Sequence, residues 1–133
     1  MYITRISKQD WLTTLQLAQI EYPHIAAMTT PAKDIARGSL AKCFIWDDWQ
    51  VCSGGYALSK GGELIGLYSL CKGSGKLLVA HAIQMGACKL NCAGVRLRDY
   101  YSKLGFVVYK EEAPTGDYTE SLYYMELEKS YEY

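Results

Sequence analysis

The chain has 133 residues, half of them hydrophobic and 21% charged, with 14 basic residues matched by 14 acidic ones. That length and composition predict one soluble globular domain able to bury its own core, and zero net charge excludes broad attraction to nucleic acid or to an anionic membrane. The opening MYITRISKQDWL lacks a basic-then-apolar targeting pattern, and no apolar run nears the roughly 18 residues of a spanning helix. Five cysteines without such a signal fit reduced thiols, so the expected setting is cytoplasmic.

MYITRI alternates as a short strand, and Ser7 is placed to cap a helix over residues 8–21, with Trp11, Leu12, Leu15 and Leu17 as apolar positions and Pro23 just beyond its end. Thr30-Pro31 opens a second short helix through Ala36, closed by Gly38. The period then changes. KCFIWDD and QVCSGGYAL read as strands joined by a turn around Asp47-Asp48, and Lys60-Gly61-Gly62 is a second turn. ELIGLYSL, residues 63–70, is apolar on both faces, the pattern of a central strand.

From Lys76 the pattern is helical: Leu78, Val79, Ala82, Ile83 and Met85 fall on one arc of about 160°, and Gly86 stops the helix. CKLNCA is a short strand. Leu97, Tyr100, Tyr101 and Leu104 then recur at helical spacing up to Gly105, and FVVYKEE and SLYYMELE finish as strands. The order is strand, two helices, three strands, helix, strand, helix, two strands, a mixed α/β layout in one domain, residues 1–133.

Gly73-Ser74-Gly75-Lys76 stands where a strand gives way to a helix, with Lys72 alongside. A helix N-terminus offers unpaired N–H groups and a partial positive charge, and glycines allow a bulky anion to approach the backbone. An ordinary tight turn explains the same residues. Two nucleotide motifs are excluded: Leu70 and Leu77 stand where a P-loop needs Gly and Ser or Thr, and Leu78 where a dinucleotide fingerprint needs its third glycine. No metal is expected, because Cys88 and Cys92 have no partner pair and His24 and His81 stand alone.

Taken in order, LCKGSG, the helix after it, GACKLNC and YSKLGF resemble the GNAT superfamily of N-acetyltransferases, whose hallmark is strand, Q/R-x-x-G-x-G/A turn, helix, strand and a helix ending in Y-x-x-x-G-F. The resemblance covers residues 63 to about 109, and the chain is similar to a small, divergent member of the kind phages encode. It implies a mixed central sheet with helices on both faces. A cleft splayed between the strands at 63–70 and 89–92 would hold acetyl-CoA as co-substrate. The pyrophosphate would lie on Gly73, Ser74, Gly75 and Lys76, near Lys72, with the pantetheine arm near Leu70 and Cys71.

Tyr101 aligns with the family's proton donor to the departing thiolate, and Glu63 with a glutamate that in some members takes the amine proton. A core tyrosine accounts for Tyr101 equally, and a solvated strand-end carboxylate is the favoured reading of Glu63. Arg96 and Arg98 read as contacts to the 3′-phosphate or as a solvated helix face. The tyrosine-rich LYYMELEKSYEY reads as an acceptor wall, a homodimer surface or a sheet edge. Two departures stand out: Leu70 replaces the family's Gln or Arg, and Gly94 a frequent Asn. The expected activity is N-acetyl transfer to an amine of unspecified kind, small molecule or protein. The alternative is a GNAT-fold protein that has lost turnover and binds a partner.

Overall fold

The computed structural model of the chain describes residues 2–48, 51–71, 73–116 and 119–128. β1 (Tyr2–Ile6) is followed by three helices, α1 (Lys8–Glu21), α2 (Pro23–Met28) and α3 (Ala32–Ile35). A meander of β2 (Leu40–Asp48), β3 (Val51–Ser59) and β4 (Leu64–Ser69) leads into α4 (Ser74–Gln84), β5 (Lys89–Ala93), α5 (Val95–Ser102), β6 (Phe106–Glu112) and β7 (Leu122–Leu127). Asp47 and Asp48, where a turn was expected, are the last two residues of β2, and residues 49–50 lie outside the described residues.

α1 starts where its cap predicts: the Asp10 N–H donates to Ser7 Oγ at 3.1 Å. Its buried positions are Trp11, Leu15 and Ala18, while Leu17, expected inside, points outward. Pro23 does more than lie beyond α1. It is the first residue of α2, an element absent from the sequence reading, because proline at that position loses no hydrogen bond. Ser74 and Gly75, expected in the turn, already belong to α4, with Gly73 at φ 87° as its N-cap.

Two antiparallel sheets form, ordered β1-β2-β3-β4 and β5-β7-β6. Among the described residues their strands join at one parallel bridge, Glu63 with Lys89, where the N–H groups of Cys88 and Lys89 donate to the Gly62 carbonyl at 2.9 and 3.3 Å. Beyond that bridge β4 and β5 are unpaired, which is the splayed arrangement expected. β4 is nonetheless the end strand of its sheet and not a central one. Its two apolar faces reflect helices on both sides: Leu64 joins the core cluster under α4, and Tyr68 the cluster under α1–α3. β7 likewise lies in the middle of its sheet, so the expected aromatic edge is corrected: Tyr123 is buried in the core.

A bulge explains how Leu64 and Tyr68, four residues apart, reach opposite faces. In the β3–β4 register Gly55 faces Tyr68 and Ala57 faces Ile65, so Gly66 and Leu67 together oppose Tyr56. One extra residue inverts the alternation of side chains and leaves a residue outside the ladder. Gly66 sits there at φ 63°, and a Cβ on it would stand 2.6 Å from Cη2 of Trp11. Only glycine meets both demands cheaply.

Candidate functional site

At the end of β4 the chain turns through Leu70 and Cys71 into α4. The Ser69 and Ser74 hydroxyls, in contact with each other, lie 2.9 and 2.7 Å from the Cys71 carbonyl, and the Ser74 N–H donates to it at 3.1 Å. Ser74 is therefore turned inward and buried, a side chain that ties the turn. The helix end itself has no side-chain cap and no acidic residue in its first turn. The N–H groups of Gly75 and Lys76 precede the first intrahelical bond, which Leu77 makes, and carry the positive end of the helix dipole.

Two cavities flank the split between β4 and β5. The larger, about 860 Å³, is lined by Ser69, Gly75, Arg96, Lys103, Tyr100 and Tyr101 among others. The smaller, about 380 Å³, is lined by Asp34, Glu63, Asn91, Cys92 and Tyr101 among others. Met28, Leu67, Leu97 and Tyr101 border both. The bulge thus brings Leu67 to the boundary between the two spaces, opposite α5.

Tyr101 is 9% exposed, and its ring packs edge-on against Tyr100 and Phe106. Burial pushes its phenol well above the ordinary tyrosine range, with Cys92 and Tyr100 adding to the shift. Its hydroxyl makes no hydrogen bond among the described residues and is not one of the sealed polar atoms, so it opens into the cavities it lines. Burial likewise pushes the Cys92 thiol up to about 11, and that sulfur lies 3.9 Å from the Met125 sulfur. Cys92 is a neutral wall, not a nucleophile.

Glu63 is held at the root of the split. Its Oε1 accepts from Asn91 Nδ2 at 3.1 Å, and its N–H donates to Ser59 Oγ at 3.0 Å. The fold thereby brings Glu63 and Tyr101 to one cavity.

The other expected residues divide. Gly75 lines the large cavity, Gly73 and Lys76 are exposed at its helix end, and Cys71 is exposed on the turn. Leu70 packs against the core cluster under α1–α3, so it offers backbone alone, and Lys72 lies outside the described residues. Arg96 lines the large cavity, whereas Arg98 is engaged with Asp99 at 3.0 Å and over the Tyr123 ring at 5.1 Å. His81 is structural: Tyr56 Oη lies 2.6 Å from its Nδ1. Among the described residues no group is placed to hold a metal ion, and no helix is long and apolar enough to cross a membrane. Leu67, Asn91 and Tyr100 are the residues the sequence reading missed. A glycine inside a strand, the signature of a bulge, was the available signal for the first.

No protein-family model matches the sequence, and no curated protein matches it. Solved structures match over nearly the whole chain. An aminoglycoside 6′-acetyltransferase type Ii superposes with a TM-score of 0.65 at 15% identity, covering 95% of this chain and 96% of that one. A GNAT-family protein from Desulfovibrio desulfuricans gives 0.61 at 18% identity, covering 96% and 98%. A Bacillus subtilis acetyltransferase in complex with CoA gives 0.58 at 16% identity, again covering 96% and 98%. The chain has the GNAT fold, as its GSG turn and YSKLGF ending implied.

Proposed function

We infer that the protein is an acetyl-CoA-dependent N-acetyltransferase that passes the acetyl group directly to an amine. The observation that carries this reading is the position of Tyr101, on the wall shared by a cavity reaching the uncapped α4 N-terminus and a cavity containing Glu63. An anionic cofactor suits the helix end of the first space, where Gly75, Arg96 and Lys103 line it; of the two carboxylates in the same lining Asp99 is engaged by Arg98, which leaves Glu120. A solved neighbour with the same fold contains CoA.

When bound, acetyl-CoA supplies an acetyl group activated as a thioester. Glu63, or a water on it, takes a proton from the acceptor, so that a neutral nitrogen bonds the acetyl carbon as the carbon–sulfur bond breaks. The electron pair goes to sulfur, and Tyr101 gives that sulfur its proton. Burial keeps Tyr101 protonated until then. The acetylated nitrogen loses its second proton to solvent, which also removes the proton from Glu63 and restores that of Tyr101.

Tyr101→Phe tests the assignment, because it keeps the packed ring and removes the acid. Acetyl transfer should fall roughly 10²–10⁴-fold with CoA affinity unchanged. Unaltered turnover would discard Tyr101 as the acid. A wild-type protein that binds CoA but transfers nothing across a panel of amines would instead favour the partner-binding reading.

A further inference from the structure

Asn91 stands in the middle of β5, opposite Tyr124 of β7, on the face of the strand turned away from the core. Asparagine is a poor strand former, and packing alone favours a branched or aromatic residue at such a position. The Asn91 side chain instead crosses the split, where its Nδ2 donates to Glu63 Oε1 at 3.1 Å. A carboxylate only accepts, which fixes the amide with its nitrogen towards Glu63.

The backbone at Glu63 is held from two sides. Its carbonyl accepts from the Ser59 N–H at 3.0 Å, its own N–H donates to Ser59 Oγ at 3.0 Å, and the neighbouring Gly62 carbonyl is tied to β5. The carboxylate forms no salt bridge among the described residues, and Asn91 is its hydrogen-bond donor there. A flexible side chain on a rigid backbone is thus oriented by a single amide.

Resting on the acetyl-transfer reading above, in which Glu63 takes the acceptor's proton, we propose that Asn91 is the positioning residue of this base and selects its reacting oxygen. Because Oε1 already accepts from the amide, Oε2 is the oxygen left for the acceptor. The proton leaves the ammonium nitrogen, directly or through water, and bonds to Oε2, so the acceptor becomes neutral as the carboxylate does. Glu63 then keeps Oε1 as a carbonyl-type acceptor, and the same N–H serves both states without turning. A proton on Oε1 would set two donors against each other.

The test uses Asn91→Val and Asn91→Asp in the full chain, with butylamine, tyramine, glucosamine and lysine as acceptors. Valine is the better strand residue but has no donor, whereas aspartate keeps the shape and adds a charge. Asn91→Val should lower kcat roughly tenfold, the order of one hydrogen bond to a charged group, with a urea midpoint no lower than wild type. Its KM for acetyl-CoA should stay unchanged, since Asn91 does not line the large cavity. Asn91→Asp should move the acid limb of the kcat/KM profile upward by about one pH unit, because a second carboxylate disfavours the ionised base. Asp34, Cys92 and Tyr101 face the same cavity, and Lys89 lies at the bridge beside Glu63, but these are common to all three proteins.

Carboxyl ¹³C NMR, with the Glu63 signal identified by its loss in Glu63→Gln, follows the same titration without turnover. An upward shift there in Asn91→Asp, in a protein that acetylates nothing, would keep Asn91 as the residue that sets this carboxyl and remove the acetyl-transfer reading. Full turnover in Asn91→Val, or a pH profile and a carboxyl titration both unmoved in Asn91→Asp, would overturn the proposal while keeping the acetyltransferase.

Discussion

The hydroxyl of Tyr100 lies over Gly75: a Cβ at that glycine would stand 2.5 Å from the phenol oxygen and 3.6 Å from the ring carbon bearing it. The Tyr100 hydroxyl of α5 thus fills the space beside the second residue of α4, at the helix end proposed to receive phosphate. Gly75→Ala should destabilise the fold by roughly 1–3 kcal/mol through overpacking, although alanine is the better helix former by about 1 kcal/mol. In a Tyr100→Phe background the same change should be neutral or stabilising. Denaturant titration of the four proteins decides it, and equal costs in both backgrounds would contradict the contact.

Gly66 gives a second, independent check on the cleft. Its left-handed backbone and the Trp11 ring 2.6 Å from a notional Cβ both resist a side chain. Gly66→Ala should cost about 2–4 kcal/mol by denaturant titration, from backbone strain and overpacking combined. A loss of less than about 0.5 kcal/mol would mean that β4 carries no bulge at this position.

What was legible in the sequence was local. The GSG turn, the helix after it and the YSKLGF ending are short-range patterns, and each is present, with the helix starting two residues earlier than read, at Ser74. Position within a sheet was not legible. An apolar run on both faces of β4 records cover by helices on two sides, and it reads identically for a central strand and for an end strand beside a cleft. Pro23 was ambiguous for a related reason, since proline both ends one helix and begins the next. Asp34, Glu63 and Tyr101 share no motif. They line one cavity because α3, the start of β4 and α5 converge on the split, which no window of sequence reports.

His81 supplies a pH signature. Burial holds its imidazole below the ordinary histidine range, and Phe44 packs on both it and Tyr56. Because burial also pushes the Tyr56 phenol up, that hydroxyl stays a donor and the neutral His81 Nδ1 accepts from it at 2.6 Å. A folded-state value below the unfolded one means that the unfolded chain binds the proton first, so stability rises with pH in that interval. This contribution is complete above the unfolded value near 6.5 and is lost as pH falls below it towards the folded value. Urea midpoints between about pH 7 and pH 5 should fall more steeply for wild type than for His81→Gln. Parallel profiles would show that His81 titrates freely.

The most direct measurement for the account as a whole is calorimetric titration of CoA into the wild-type protein. A single saturable site is predicted, competed by acetyl-CoA and abolished by Gly75→Glu, which adds a carboxylate at the α4 N-terminus. Thermal stabilisation should accompany it, approaching about 2.7 kcal/mol when ligand exceeds its dissociation constant a hundredfold. Absence of heat and of any thermal shift at millimolar CoA would contradict the cofactor site, and with it the acetyl-transfer function proposed for the cleft.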